Sequence, residues 1–583
     1  MKTQAHLWRA VLALAFAIFW ANSATASTNF GGMGTDFWLA FTPNFEDQLH
    51  NASPTPLSLF ITSADGATGA ITSPGLGINI PFTVAPNGYV HIPITASAAL
   101  GDTSGSPELV ESKGIEVASD NPIAVYGMNN ISASSDGFQA LSNALLGTDY
   151  YILGHQEGNV GSIAGACGAV VAIENGTILT VTMPFAFNGH GVNAPYAIPL
   201  NKGQTYFLGA FSAPGLDFSG TRIQSNQAIV VYGGSMASDI PVTDTAADML
   251  VEEIFPVNLW GQNYLSVPLA TRSGGDTFRV LASQNGTSVN INGLNVATLN
   301  QGGFVELTLT ASSQIQANHP VLVAQYSNSS TYDAQPLADP SEMQLQPLER
   351  YCDQYVLAPD NAVAGPAFFD ISFFNLVAPA AATGAVTING ITIPAASFSP
   401  IASSGYSAAT VTVYPPGAGS GYVFGSVSVT CSVCVVQSSL PIGVSVYGFN
   451  GSPDAYSYPG GMALTPVTPT STPTATPAST VTPELRLSLV PLEPNPNPAS
   501  SGVWIPYSIS IDASVDMKIY DVSGEMVRTL GTESKSAGTH ERFWDLRNSD
   551  GAKTASGIYL VLFHARSASG DEAKAWKRCA VVR

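Results

Sequence analysis

The sequence predicts an all-β protein made of tandem β-sandwich-like repeats followed by a separate C-terminal β-sandwich. Gly (55) and Pro (40) are abundant and charged residues make up only 10% of the 583 residues. This composition is typical of many short strands joined by turns. A Pro-Ile-x-Val-Tyr type of strand returns four times, and Asn-Gly turn signals recur around it. The length leaves room for several domains, since one core rarely exceeds about 300 residues.

Residues 1–26 are predicted to be a signal peptide. Lys2 and Arg9 form a positive region, and an apolar run of about 12 residues follows, which is too short to cross a bilayer. The Ala-Thr-Ala sequence at 24–26 fits the small-residue cleavage pattern. The sequence after it contains no apolar run long enough for a transmembrane helix, so we expect an exported protein found outside the cell or on its outer surface.

The repeated strand occurs in four segments whose tyrosines are 106, 94 and 121 residues apart. The segments are Ser119–Gly127, Ser225–Gly233, Ala317–Tyr326 and Ser438–Gly448. Pro at the start of an apolar run suits the first residue of a buried strand, where the missing N–H is harmless. The spacing divides this part of the chain into four β repeats, at 27–130, 131–235, 236–330 and 331–460.

Three further elements accompany the repeated strand in each unit. A Gly-x-x-aromatic motif opens the units at 34–37, 147–150 and 261–264, and Cys replaces Gly in the fourth, at 352–355. The Asn-Gly pairs at 175–176 and 285–286 predict hairpins over 170–183 and 278–291 with type I′ turns. Acidic stretches at 248–256 and 339–348 precede two of the openings, and each is predicted to hold a short helix.

Residues 461–483 are predicted to be an extended linker, because the Thr/Pro-rich stretch has few large apolar residues with which to form a core. Residues 484–583 form a further module. Alternation of apolar and polar residues over 515–520 predicts a strand, and Trp544 is expected to anchor the core.

The charge is concentrated in the repeats. Without the signal peptide and the last module, six basic and 29 acidic residues remain, a formal charge of −23. Such a body repels phosphate backbones, so nucleic acid is not expected as a partner. A cationic or Ca²⁺-dependent partner is an alternative to a simple role of the charge in solubility.

Five cysteines leave at least one without an intramolecular partner. Cys431 and Cys434 have CxxC spacing, but the sequence offers no second pair or nearby His to complete a zinc site. A structural disulfide is favoured over redox chemistry. Pairing of either cysteine with a distant one stays open, because an extended strand would hold the two apart.

The repeats resemble the N-terminal domain of IgG Fc-binding proteins, which occurs in many bacterial exported proteins. The resemblance covers about residues 30–460 and depends on Gly34–Phe41 (GTDFWLAF), the Asn-Gly hairpins and the Val-Tyr strands. The last module resembles the immunoglobulin-like domain of FlgD, the flagellar hook-capping protein, which is itself similar to C-terminal sorting domains of type IX secretion. The motifs at 520–524, 544–545, 550–551 and 556–559 fall in the family's order. The second resemblance implies an immunoglobulin-like β-sandwich that serves export and surface retention, or acts as a spacer.

Few residues suggest catalysis. His155 with Glu157 is the best local candidate for a metal or acid–base pair, and His190 is the next; a polar loop is the alternative interpretation of each. His91 has no acidic neighbour, and the adjacent Glu252 and Glu253 are expected on a solvated face. The sequence contains no Gly-x-Ser-x-Gly, His-Glu-x-x-His or phosphate-loop motif.

The sequence therefore predicts a non-catalytic binding or adhesion protein that recognises a protein or glycan through loops on β-sandwich modules. We assign no catalytic, cofactor-binding or metal-binding residue and no cofactor. Trp38 and Trp260 are expected in the core rather than on binding platforms. A structural matrix or surface protein is one alternative, and an enzyme whose site is assembled from distant loops around His155 or His190 is the other.

Overall fold

A computed structural model describes most of the chain. The described residues are 31–45, 56–101, 106–131, 134–158, 165–211, 215–333, 338–359, 369, 371–414, 427–450, 454–464, 487, 489–492 and 494–582. The predicted signal peptide (1–26) and residues 465–483 of the predicted linker lie outside these ranges. The all-β prediction is confirmed, since the described helices are short 3-10 turns. They are Ala96–Ala98, Asn143–Leu145, Val257–Leu259, Leu348–Arg350, Ala380–Ala385 and Ala395–Ser397.

The strands group into four modules and a tail. The first module contains β1 (Gly34–Leu39), β2 (Leu57–Ser63), β3 (Ala67–Ser73), β4 (Ile78–Val84), β5 (Gly88–Ile94), β6 (Glu108–Glu111), β7 (Ile115–Ile131) and β8 (Ser134–Gln139). The second contains β9 (Gly147–Tyr151), β10 (Ala166–Ala172), β11 (Thr177–Thr182), β12 (Tyr196–Leu200), β13 (Thr205–Gly209), β14 (Arg222–Ser238) and β15 (Asp248–Glu253). The third contains β16 (Gly261–Ser266), β17 (Asp276–Ala282), β18 (Thr287–Ile291), β19 (Leu294–Leu299), β20 (Phe304–Leu309), β21 (Ser313–Ser327) and β22 (Ser341–Gln344).

The fourth module and the tail complete the set. The fourth module contains β23 (Cys352–Leu357), β24 (Ile371–Pro379), β25 (Thr387–Ile388), β26 (Ile391–Thr392), β27 (Ser399–Pro400), β28 (Tyr406–Tyr414), β29 (Ser428–Thr430), β30 (Cys434–Asn450) and β31 (Asp454–Pro459). The tail contains β32 (Leu489–Pro491), β33 (Val503–Ile509), β34 (Ala513–Asp521), β35 (Met526–Lys535), β36 (Gly538–Trp544), β37 (Gly557–Ser567) and β38 (Glu572–Val581). Its two sheets pack around Trp544, which is fully buried as expected.

Each module is organised around one long strand, namely β7, β14, β21 or β30. In the first module, residues 115–119 of β7 pair with β1 and β3, whereas residues 124–131 pair with β2 and β8. The other three long strands divide their partners in the same way. One bent strand thus contributes to both halves of the module, which gives the predicted sandwich-like repeat.

The repeated proline lies at the bend of the long strand and not at its start. Pro122 is in the middle of β7, between the two paired halves, and is exposed. The missing N–H is harmless there because the register shifts at this point. Asn121 fixes the bend by donating its side-chain amide to the Gly66 carbonyl. Asn226 and Asn318 make the equivalent bonds to Gly176 and Gly286.

The predicted hairpins at the first Asn-Gly pairs are wrong. Strands β10 and β11 flank Asn175-Gly176 but do not pair with each other; both pair with β14, on its two different halves. The same holds for β17 and β18 with β21. At these corners only the glycine, Gly176 or Gly286, has a positive φ, so the turn is not type I′. A two-residue turn with both residues at positive φ forms instead at Asn292-Gly293, between β18 and β19.

The acidic stretches are strands rather than helices over most of their length. Residues 248–253 form β15 and residues 341–344 form β22, and each pairs with the preceding long strand. Together with β8 and β31 they form a set of four, here named the inner strands. A 3-10 turn follows β15 at Val257–Leu259 and β22 at Leu348–Arg350. Because every residue of β15 and β22 is buried, neither stretch has the exposed polar face of an amphipathic helix.

The four modules form a closed ring around the inner strands. Strand β8 packs against β15 and β31, and β22 packs against the same two strands. Hydrophobic clusters join the first module to the second, the second to the third, the third to the fourth, and the fourth back to the first. At the closure, Gly31 donates its N–H to the Gln354 carbonyl and Gly32 donates to Met462. The line enclosed by the inner strands is here called the axis.

Tyrosines of the repeated strand connect each module to its neighbour in this ring. The Tyr232 hydroxyl accepts the Ala40 N–H, and the Tyr447 hydroxyl accepts the Ala270 N–H. The Tyr326 hydroxyl donates to the Gly154 carbonyl. Tyr126 of the first module donates to the Val356 carbonyl of the fourth at 3.2 Å. The last of these bonds spans the junction where the ring closes.

Candidate functional site

The axis carries a group of buried acidic side chains. Asp136 on β8 accepts backbone N–H groups from the other three inner strands. The distances are 3.1 Å from Val251, 3.3 Å from Glu342 and 3.2 Å from Ser457. The N–H of the adjacent Gly137 adds a fourth bond at 2.9 Å. One carboxylate thus ties together strands from all four modules.

Several other carboxyl groups are buried around Asp136. Four of them have an oxygen atom without a hydrogen-bond partner among the described residues, namely Asp248 Oδ2, Glu252 Oε2, Asp339 Oδ1 and Glu342 Oε2. Burial, followed by the charges of Asp454, Asp339 and Asp136, raises the pKa of Asp248. Burial raises the pKa of Asp339 and of Glu342 to about 8. The expectation of a solvated face at Glu252 and Glu253 is wrong, because both side chains are about 1% exposed.

The arrangement does not form a metal centre. Within the described ranges, no three His, Cys, Asp or Glu side chains are placed to hold one metal ion.

No helix in the described part of the chain is long and apolar enough to cross a membrane.

His155 lies in a second buried network, between the second and third modules. Its Nε2 atom is 3.5 Å from Glu306 Oε2, and its Nδ1 atom is 2.9 Å from Ser238 Oγ. Arg279 bonds Glu306 at 2.8 Å and Asp217 at 2.6 Å. Burial opposes the charge of Glu306, but Arg279 and His155 outweigh it and lower the pKa of Glu306 to about 2.

This network brings His155 to Glu306 rather than to the sequence neighbour Glu157. Burial raises the pKa of Glu157 to about 7. The Ser238 hydroxyl donates its hydrogen to the Gln156 carbonyl at 2.7 Å, and the serine side chain is fully buried, so its oxygen is shielded from solvent. Residues 489–491 and 571–574 of the tail line a cleft of about 350 Å³ with His155, Arg279 and Glu306.

His190 belongs to a half-buried network on the outside of the second module. Its Nε2 atom is 3.1 Å from Glu108 Oε1, and its ring stacks on Tyr196 at 3.6 Å. The Tyr206 hydroxyl donates to Glu108 at 3.0 Å and is 2.8 Å from the Tyr196 hydroxyl. Glu108 lies on β6, which precedes the long strand of the first module but pairs with β13 of the second. The network therefore fastens one module to the next.

The remaining candidates from the sequence are histidine, tryptophan and cysteine side chains in structural positions. His91 stacks on Phe60, and burial lowers its pKa. Trp38 and Trp260 are buried, and the indole N–H of Trp260 donates to the Phe255 carbonyl. Cys431 and Cys434 form a disulfide with each other, because a turn at 432–433 brings them together just before β30 begins. Cys167, Cys352 and Cys579 are buried thiols.

The sequence interpretation missed Asp136, Asp339 and Asp454. An acidic residue stands in or beside the short strand that follows each long strand, at Asp136, Asp248, Asp339 and Asp454, once per unit. An acidic residue in that recurring place is the signal that could have identified them.

Comparison with known proteins places the chain in a family. The family described as IgGFc binding protein matches residues 136–448, more than half of the chain. The chain belongs to the IgGFc-binding protein family. Residues 505–569 match the FlgD Ig-like domain, which confirms the second resemblance. Neither description names an enzyme.

One relative and two solved structures illustrate the extent of similarity. The human (Homo sapiens) IgGFc-binding protein is 26% identical over 278 residues, which cover 46% of this chain and 5% of the human protein. The chain thus spans about one twentieth of that relative. PorZ, described as a surface component of the type-IX secretion system of Porphyromonas gingivalis, is 25% identical over 17% of this chain and 11% of its own, with a TM-score of 0.12. A Ca²⁺-stabilised adhesin of an Antarctic bacterium is 9% identical, with 95% and 100% of the two chains covered and a TM-score of 0.12. Neither TM-score supports a structural argument.

Proposed function

We propose that this chain is a surface-displayed, non-catalytic protein that binds a protein ligand through loops at one end of its ring. The loops in question come after the long strands, where the chain turns back into the inner strands. The described examples are residues 239–247 and 328–333. Family membership supports a binding role, since both the family and the human relative are described as binding IgG Fc.

The observation that carries the proposal is the interlocking of these loops between modules. Ile240 of the second module and Ser329 of the third exchange two hydrogen bonds, at 3.0 Å and 2.7 Å. Thr245 donates its N–H to the Thr331 hydroxyl at 3.0 Å. Arg272 donates to the Ser329 carbonyl and fastens a third loop. Loops held in this way form a preorganised surface, which lowers the entropy cost of binding.

The test uses the full mature chain on protein and glycan arrays, followed by surface variants. Thr243→Lys and Ser273→Lys place a bulky charge on exposed loop positions. We expect each to weaken binding at least about tenfold, as for central interface residues. Thr298→Lys is the matched control, because Thr298 is equally exposed but lies on β19, on the outer hairpin.

Each alternative function predicts a different result. Binding to a glycan but to no protein would show that the ligand is a glycan and not a protein. Equal binding by all three variants would place the contact elsewhere on the molecule. A structural surface protein predicts self-assembly that depends on salt or Ca²⁺, with no array signal. An enzyme predicts a hydrolase activity that is lost on changing His155 or His190, although His155 is only 2% exposed.

A further inference from the structure

The body buries far more acidic than basic groups. Ten of its described acidic residues are buried, namely Asp136, Glu157, Asp239, Asp248, Glu252, Glu253, Asp276, Asp339, Glu342 and Asp454. The buried basic residues are Arg272, Arg279, Arg350 and His155. An ionised carboxylate without a partner is very costly in a protein interior. Most of these acids must therefore be neutralised by something other than a side chain.

The geometry of the axis indicates which groups need neutralising. Asp136 uses both oxygens to accept four N–H groups, which favour its ionised form, whereas burial raises its pKa. Glu252 accepts the Gln344 N–H, and Glu342 Oε1 lies 3.1 Å from the Tyr326 hydroxyl. Each of the two carboxyl groups keeps one buried oxygen without a hydrogen-bond partner among the described residues. The unpartnered oxygens belong to inner strands of different modules. A charge on any of them would repel Asp136 across the module boundary.

From this geometry we propose that protons held by the axial carboxyl groups keep the ring closed, so that the contacts between modules loosen as the pH rises from about 5 to about 9. This device concerns the ring itself and is independent of the proposed ligand. A proton is favoured over a metal ion because the described side chains do not form a metal site.

The direction of the pH effect on stability follows from the environment of the axial carboxyl groups. The titratable and charged side chains on the inner strands and their neighbours include Asp136, Cys167, Asp217, Tyr232, Asp239, Asp248, Glu252, Glu253, Arg272, Arg279, Tyr326, Asp339, Glu342, Asp454, Tyr456 and Tyr458. Burial and mutual repulsion raise the pKa of Asp248 and Glu252, and burial brings that of Glu342 to about 8. In the unfolded chain these groups ionise near pH 4. The stabilising contribution of Glu342 is therefore complete below about pH 4 and is lost as the pH rises through about 8, and the raised pKa values of Asp248 and Glu252 act in the same direction.

The experiment measures the urea midpoint of the full chain at pH 5, 7 and 9. We expect the midpoint to fall continuously over this range. The double variant Glu252→Gln/Glu342→Gln keeps the acceptor oxygens but cannot ionise, so its midpoint should change less with pH. Glu174→Gln is the matched control, because Glu174 is exposed on a corner between strands, and it should keep the wild-type dependence. A wild-type midpoint that is the same at pH 5 and 9, or a double variant with the full dependence, overturns the proposal.

Two further measurements test the proposal on the wild-type chain. The first applies even if the double variant does not fold, and the second tests whether a cation, instead of a proton, neutralises the axis. Unfolding of the wild-type chain at pH 6.5 should release at least about two protons per molecule, as measured by calorimetry in buffers of different ionisation enthalpy. No release overturns the proposal. The pH series is also repeated with EDTA and with Ca²⁺. Restoration of the pH 9 midpoint by Ca²⁺ would show that a cation, and not a proton, neutralises the axis, whereas equal midpoints support the proton.

Discussion

At the scale of single residues, the repeated motifs have structural roles that their recurrence along the chain does not reveal. The aromatic residue of the Gly-x-x-aromatic motif is a tyrosine in three modules. The Tyr150 hydroxyl bridges the Gly147 N–H, at 2.8 Å, and the Ile229 carbonyl at the bend of the long strand, at 2.6 Å. Tyr264 and Tyr355 make the same two bonds. Phe37 in the first module fills the position without a hydroxyl.

We expect Tyr264→Phe to destabilise the body by about 1–3 kcal/mol, because it leaves the buried Gly261 N–H and Val321 carbonyl without a partner. Urea unfolding measures the change. Tyr89→Phe is the control, since Tyr89 is only half-buried on β5. An equal effect of both variants would contradict the assigned role of the hydroxyl.

We expect Asp136→Ala to cost at least about 3 kcal/mol, because three buried N–H groups on the other inner strands lose their acceptor. Asp136→Asn keeps one acceptor oxygen and should be less damaging. Hydrogen exchange should show the loss first in peptides covering 248–254 and 341–345. Protection that stays unchanged there would show that Asp136 does not connect the modules.

At the scale of elements, the close packing between an opening strand and the next connection explains why Gly begins the motif. A Cβ on Gly147 would lie 2.6 Å from the Pro256 Cβ, and one on Gly261 would lie 2.3 Å from the Pro347 Cβ. The fourth module has Cys352 in this position. There the facing residue is Gly31, and a Cβ on it would lie 2.4 Å from the Tyr355 ring and 3.4 Å from the Cys352 Sγ atom. A glycine is therefore required at this junction mainly by the aromatic ring of the motif.

We therefore expect Gly261→Ala to destabilise the third module by about 1–3 kcal/mol, through a contact with Pro347 that backbone shifts must relieve. Gly293→Ala tests a different mechanism, because a Cβ there meets no atom within 4 Å but φ is +83°. Thermal unfolding measures the stability change of both variants. A loss in Gly261→Ala would indicate a packing defect that loosens the contact with the fourth module, whereas a loss in Gly293→Ala would indicate a local effect of the turn.

The sequence predicted the elements better than their partners. The long strands and the all-β class followed from apolar runs and composition, and Trp544 was expected in its core. The hairpin at 278–291 failed because Asn285-Gly286 closes a corner between the two halves of a module, and two-residue turn signals do not distinguish a corner from a hairpin. The group of axial carboxyl side chains was not predicted, for a related reason. Asp136 meets Ser457 across 321 residues, and no local pattern encodes that contact.

At the scale of the whole molecule, hydrophobic clusters that each draw on two modules connect the four modules around the ring, while the tail has its own core. The third module also has a cluster of its own, around Phe278 and Val323, but it shares two further clusters with the fourth module. We expect calorimetry of the full chain to show one cooperative transition for the body and a second for the tail. Tyr126→Phe, at the closing junction, should lower only the first transition. Separate transitions for single modules would contradict a closed ring.

Closure also limits how this protein can change its length. An open array of repeats gains a copy by extending at one end, where a cap covers the last unit. Here the face that a fifth unit would need is already taken, since the first module lies against the fourth. An added unit would have to separate Gly32 from Met462 and widen the space around Asp136. Growth is therefore directed into the loops of the existing modules and into the segment after residue 464, where the tail is attached.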